Sequence, residues 1–78
     1  MTARGEMTID LTQMFVNQGA QVRVRFWDDH RVCYDMLVAQ VGDGAVSGLS
    51  VTHTPVTLRL TWLQDAELIS VVNGLPDM

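Results

Sequence analysis

Lysine is absent from this 78-residue chain, so all five of its positive charges are arginines, set against nine acidic residues for a net charge of −4. That balance opposes the electrostatic attraction behind generic binding to nucleic acid or anionic membranes, so any such role has to be local. Cysteine is nearly absent as well. The single Cys33 excludes a disulfide within the chain, and a lone thiol of this kind is expected to be a small buried apolar side chain. Oligomerisation is left as the reinforcement open to so small a domain. Metal-ligand spacing is missing too, since His30 and His53 lie far apart with no CxxC or HxxxH pattern, and neither a metal nor a cofactor is expected. No stretch approaches the about 18 apolar residues that a membrane span requires. The segment MTARGEMTIDL also lacks the basic-then-apolar order of a secretory signal, and the expected setting is the cytoplasm with no membrane contact.

What the chain does have is an ordered supply of apolar residues, 47% of the total with 18% charged, the balance of a folded protein. A chain this short has room for one core. Residues 1–8 read as a loose leader, 9–74 as a single domain and 75–78 as a tail. Within the domain Asp10 can cap a helix, Gln13 can return the bond, and Ile9 and Met14 occupy the hydrophobic-staple positions. With Leu11, Met14 and Phe15 on one face and Gly19 suited to the stop, the prediction is a helix over 10–18.

The period then changes from helical to two. Val22, Val24 and Phe26 alternate with Arg23, Arg25 and Trp27 in a half-buried strand that ends at the Asp28-Asp29 turn. A longer strand over 30–41 shifts the phase of its apolar residues between Met36 and Leu37, which predicts a bend or bulge. Gly42-Asp43-Gly44 signals a hairpin into a strand over 45–52, and His53-Thr54-Pro55 makes the next turn. Val56, Leu58, Leu60 and Trp62 alternate cleanly in the fourth strand, placing Trp62 in the core. A tight turn over 63–66 leads to a short last strand over 67–72, closed by Asn73-Gly74 and Pro76. A short N-terminal helix and five antiparallel strands at this spacing predict a mainly β fold, a small barrel.

The helix, Gly19 before the Val22-Val24-Phe26 strand, Asp28-Asp29, the bent second strand and Val72-Asn73-Gly74 together resemble the Sm-like and wider SH3-type small β-barrels, over about residues 9–74. The resemblance implies a five-stranded barrel that assembles into rings by strand pairing. In that family the first turn carries Asp-Gly and the late motif Arg or Lys; here Asp29 precedes His30, and Asn73 stands at the late position. Those segments line the family's RNA-binding pore, so the resemblance implies that role for Asn73 and the Asp28-Asp29-His30 turn, in altered form.

Catalytic groupings are not apparent: the carboxylates at Asp43, Asp65, Glu67 and Asp77 are scattered over turns, and no nucleophile stands beside an orienting base. His30 beside Asp28 and Asp29 reads as a solvated turn. Alternation puts Arg23, Arg25 and Trp27 on the non-core face, where arginine and an aromatic ring can stack on a base, grip a phosphate or carboxylate, or join a subunit interface. The sequence therefore points to a non-enzymatic binding module acting by protein–protein contact, self-association foremost. Nucleic-acid or RNA binding through the same arginines is the alternative, disfavoured by net charge. The candidate interaction residues are Arg23, Arg25, Trp27, Asp29, His30, Arg59 and Asn73.

Overall fold

The computed structural model describes residues 2–72. Helix α1 (Ala3–Asn17) precedes strands β1 (Gln21–Asp28), β2 (Cys33–Gly42), β3 (Ala45–Ser50) and β4 (Pro55–Arg59), a single 3-10 turn η1 (Leu60–Trp62), and β5 (Leu63–Val72). The strands form one antiparallel sheet in the order β4-β3-β2-β1-β5. No helix among the described residues is long and apolar enough to cross a membrane.

Residues 3–8, expected to belong to a loose leader, are helical. Thr2, not Asp10, is the N-cap: its hydroxyl accepts from the Gly5 amide at 3.1 Å, satisfying one of the helix's unpaired first-turn donors. The buried face is Gly5, Thr8, Ile9 and Thr12; Ile9 joins the core, and the smaller Gly5, Thr8 and Thr12 let the helix lie close on the sheet. Leu11 and Met14, expected to face the core, are each 45% exposed. The helix does stop at Gly19, which adopts the left-handed φ of 88° suited to a residue without a side chain.

Val22, Val24 and Phe26 are fully buried, with Met36, Val38, Val46, Leu63 and Ala66 around them. Asp43 and Gly44, at φ 54° and 73°, make the expected two-residue hairpin turn of the type that needs two left-handed residues. A bulge is found, but between Val38 and Gln40 and not at the Met36–Leu37 phase change: Met36 and Val38 keep the alternation on the core side, and Val41 rejoins it three positions later.

Three expectations about the later strands are corrected. β4 ends at Arg59, and η1 diverts the chain so that Leu63 is buried while Trp62, expected in the core, is 61% exposed. The 3-10 turn interrupts the two-residue alternation after Arg59, so the chain re-enters the sheet with Leu63 and not Trp62 on the inside. β5 accordingly begins at Leu63, where a turn was expected. The sheet is also not closed into a barrel: β4 and β5 are its two edges, joined by η1 and not by a ladder. The helix occupies part of the edge that closure would use, the Thr2 amide donating to Gln64 O at 2.9 Å and the Thr8 hydroxyl to Ala66 O at 3.2 Å.

Gly48 pairs with Val38 beside the bulge, and a Cβ there would overlap the Leu37 carbonyl oxygen and lie 2.8 Å from its carbon. Replacing Gly48 with Ala is expected to cost at least about 3 kcal/mol in urea unfolding, the upper end of ordinary overpacking, because backbone has to yield. Gly42→Ala is the control. A Cβ at Gly42 meets nothing within 4 Å, and its cost should stay within about 0.5 kcal/mol.

Candidate functional site

The alternation that singled out Arg23, Arg25 and Trp27 places them as expected on the face opposite the buried Val22, Val24 and Phe26, yet the stripe is not a free cationic surface. Arg25 lies in register with Asp35 on β2 and Glu67 on β5. Its Nε donates to Asp35 at 2.8 Å, while Arg4 from the helix reaches Glu67 at 2.9 Å. Arg4, Glu67, Arg25 and Asp35 thus alternate in sign across the sheet. The Asp35 hydrogen bond and charge hold the Arg25 guanidinium more firmly protonated than usual. Arg23 is exposed without an ion-pair partner among the described residues, and Trp27 is half-buried opposite Cys33 and Asp65. Cys33, expected to be buried, is exposed.

A second grouping is built by the β1–β2 loop. The Asp28 carboxylate accepts from the His30 and Val32 amides, each at 2.9 Å, and from the Tyr34 hydroxyl at 2.9 Å. Arg31, at φ 65°, completes the turn, and β2 starts at Cys33, later than expected. Shielding from water pushes the Asp28 carboxyl up, but the bonds from Val32, Tyr34 and His30 outweigh it and hold it below the ordinary carboxylate range. The same bond raises the Tyr34 hydroxyl.

Against this loop lies a cleft of about 360 Å³, within the size range of small ligand pockets. Leu58 and Leu63 supply its apolar lining, Tyr34 and Trp62 its aromatic rings, and Asp28 and Asp29 its charge. Arg59 sits outside the lining with its guanidinium 5.8 Å from the Trp62 ring centroid. Asp28, Asp29 and Gln64 are shared with a second hollow, which also takes in Trp27, Arg31 and Asp65.

Of the sequence-predicted residues, the structure brings Asp29 and His30 together at the loop tip, 3.0 Å apart, beside Asp28. It leaves Arg23 and Arg25 on the outer sheet face and Arg59 at the Trp62 ring; Asn73 lies outside the described residues. Ligand-type atoms of Asp28, Asp29 and His30 fall within 4.8 Å of one another. Both Asp28 oxygens already accept internal bonds, which makes the trio a hydrogen-bonded turn. Sequence reasoning missed Tyr34, Leu58 and Trp62 as a group. The signal for Trp62 was the Trp62-Leu63 pair, which breaks the alternation of the fourth strand.

No protein-family model, curated protein or solved structure matches this chain.

A carboxyl held below its unfolded value stabilises the fold in full above that value, near pH 4, and the contribution is lost as pH falls through the lower folded value. The β1–β2 loop should therefore loosen in acid, below about pH 4, and not near neutrality. The protection of the His30 and Val32 amides, measured against their intrinsic exchange rates at each pH, should fall in that window. In Asp28→Asn the acid transition should vanish, with faster exchange at every pH.

Proposed function

We propose that the chain is a non-enzymatic binding module that works by protein–protein contact, self-association foremost, through an exposed strand edge. The observation that carries this reading is the half-covered edge of β5. Bonds from α1 satisfy the Gln64 and Ala66 carbonyls, and the Arg4 pair ends at Glu67. Beyond that point the strand runs on to Val72 with Ile69, Val71 and Val72 each about 40% exposed. An unpaired edge bearing apolar side chains is a template for another strand. Since β4 is the opposite edge, one copy's β4 can pair with the next copy's β5, a head-to-tail contact that closes into a ring or extends as a filament.

The placement of β5 beside β1, after a helix and with η1 between the last two strands, supports kinship with the Sm-like and SH3-type barrels, the sheet here stopping short of closure. The nucleic-acid alternative draws less support. Phosphate binding draws on grouped unpaired cations, whereas Arg4 and Arg25 are tied to carboxylates and the other arginines lie on separate elements, Arg23 on β1, Arg31 in the β1–β2 loop and Arg59 at the end of β4. An exposed single thiol at Cys33 fits a reducing setting such as the cytoplasm.

Light scattering coupled to size exclusion tests the proposal at low and high salt. The expected result is an oligomer insensitive to salt, with Val71→Lys shifting it to monomer while the circular dichroism stays unchanged. A monomer at both salts overturns the reading. Tight RNA binding at low salt that disappears in Arg23→Ala with Arg25→Ala would put the alternative in its place.

A further inference from the structure

We propose that the outer face of α1 docks an amphipathic helix of a partner protein, one whose apolar stripe is bordered by arginine or lysine. Met7, Leu11 and Met14 are 67%, 45% and 45% exposed and stand at i, i+4 and i+7 on the helix, turned away from its buried Gly5, Thr8, Ile9 and Thr12. That spacing stacks them in a single row about 10 Å long, at about 1.5 Å per residue. Apolar side chains scattered singly over a surface call for no explanation, whereas a contiguous row marks a contact surface. Two of the three are methionines, whose unbranched side chains repack readily against an incoming surface.

Charge decides the occupant. Glu6 and Asp10 precede Met7 and Leu11 by one position each, so their carboxylates lie a turn apart along one border of the row. Both are exposed, and neither has an ion-pair partner among the described residues. Beside them a hollow of about 230 Å³ opens between α1 and η1, its lining completed by Ile9 and Leu60 with no cation in it. On the other border Arg4 is held by Glu67. This distribution disfavours an anionic membrane, because helices that lie on membranes carry cations beside their apolar stripe. It disfavours a second copy of α1 as well: an antiparallel pair with its two-fold axis at Leu11 sets each Asp10 near the other, with Arg4 engaged elsewhere. A partner with cations along the matching border meets the apolar row and the carboxylates together. The partner is helical because the backbone groups of α1 are bonded within the helix. An extended segment laid on it would find no edge to pair with, whereas a helix brings its backbone bonds with it. Arginine or lysine stems can then lie over Ile9 and Leu60 in the hollow while their charged ends reach Glu6 and Asp10.

The test uses the whole chain and three fluorescently labelled peptides of about 18 residues, long enough to form helix. The first has a stripe of leucines at helical spacing bordered by arginines, the second keeps the leucines and exchanges arginine for glutamate, and the third scrambles the order of the first. Polarisation should show the first binding at least about tenfold more tightly than either of the others, a difference of about 1.4 kcal/mol. Met7→Gln with Leu11→Gln should reduce that binding severalfold. Glu6→Gln with Asp10→Asn should reduce it too and remove most of its salt dependence. All four side chains are exposed, and circular dichroism checks that the variants stay folded. Amide shifts on binding should fall on α1 and around Leu60. Val71→Lys, on the β5 edge, should bind the first peptide as the wild type does, so a failed self-association reading and a failed helix-face reading give different results. Equal binding of the scrambled or the glutamate peptide, indifference to Met7→Gln with Leu11→Gln, or amide shifts confined to other elements would each overturn the proposal. Loss of an oligomer in Met7→Gln with Leu11→Gln would overturn it in favour of a second copy, and binding to anionic vesicles through these residues in favour of a membrane.

Discussion

The approach of β3 to β2 at Gly48 is the constraint on which the rest of the molecule rests. With no side chain there, the strand lies against the Leu37 carbonyl, opposite a bulge that places an extra residue in β2. An extra residue on one strand bends the ladder and increases its twist. The bend keeps both Val38 and Val41 on the core side, and β4 follows β3 around the curve. That course carries Leu58 and η1 to the β1–β2 loop, so the cleft owes its existence to a glycine that does not line it. Further register shifts in the β1–β5 ladder, at Arg23/Val24 and Trp27/Asp28, carry the curvature to the other side of the sheet.

Polar bonds do on one flank what apolar packing does in the centre. The helix meets β5 largely through Thr2, Arg4 and Thr8; the single Thr8 hydroxyl proton is shared between Ala66 O and Arg4 O, and the Thr12 hydroxyl donates to Thr8 O one turn earlier. No buried side-chain polar atom among the described residues lacks a partner, as low-cost burial of hydroxyls requires. The acidic composition has a similar internal use. Carboxylates at Asp35 and Glu67 hold arginines on the sheet face, and Asp28 serves amides and a phenol. The remaining acidic residues among those described are spread over the helix at Glu6 and Asp10, the β2–β3 hairpin at Asp43 and β5 at Asp65, while Asp29 lies beside His30 at the loop tip.

Elements whose signals were local could be read from the sequence, and those fixed by distant partners could not. Val22, Val24 and Phe26 announced β1 by strict alternation, Asp43-Gly44 announced the hairpin by conformational need, and the phase shift in β2 announced a bulge, though too early in the strand. The helix was legible only in its second half, because its inner face is made of Gly5, Thr8, Ile9 and Thr12, with Ile9 the one large apolar residue among them; only the proximity of β5 makes the other three a packing surface. Barrel closure was misread because strand spacing says nothing of what occupies an edge. As for the site, Asp29 and His30 were legible as a turn. Their association with Tyr34, Leu58 and Trp62 depends on how the sheet curls, which one sequence does not display. The arginine stripe was placed on the correct face, but its neutralisation followed from cross-strand register with Asp35 and Glu67.

The helix and the core divide the methionines of the described residues between them. Met7 and Met14 point outward with Leu11 between them, at 67% and 45% exposure, whereas Met36 is sealed in the core at 2%. Among the methionines of the described residues, oxidants reach this outer pair before Met36, and conversion to the sulfoxide turns a flexible apolar side chain into a polar one that reductases can restore. Because neither outer methionine belongs to the core, that change would redraw the outer face of the helix, from oily to wet and back again, while the sheet beneath it kept its shape.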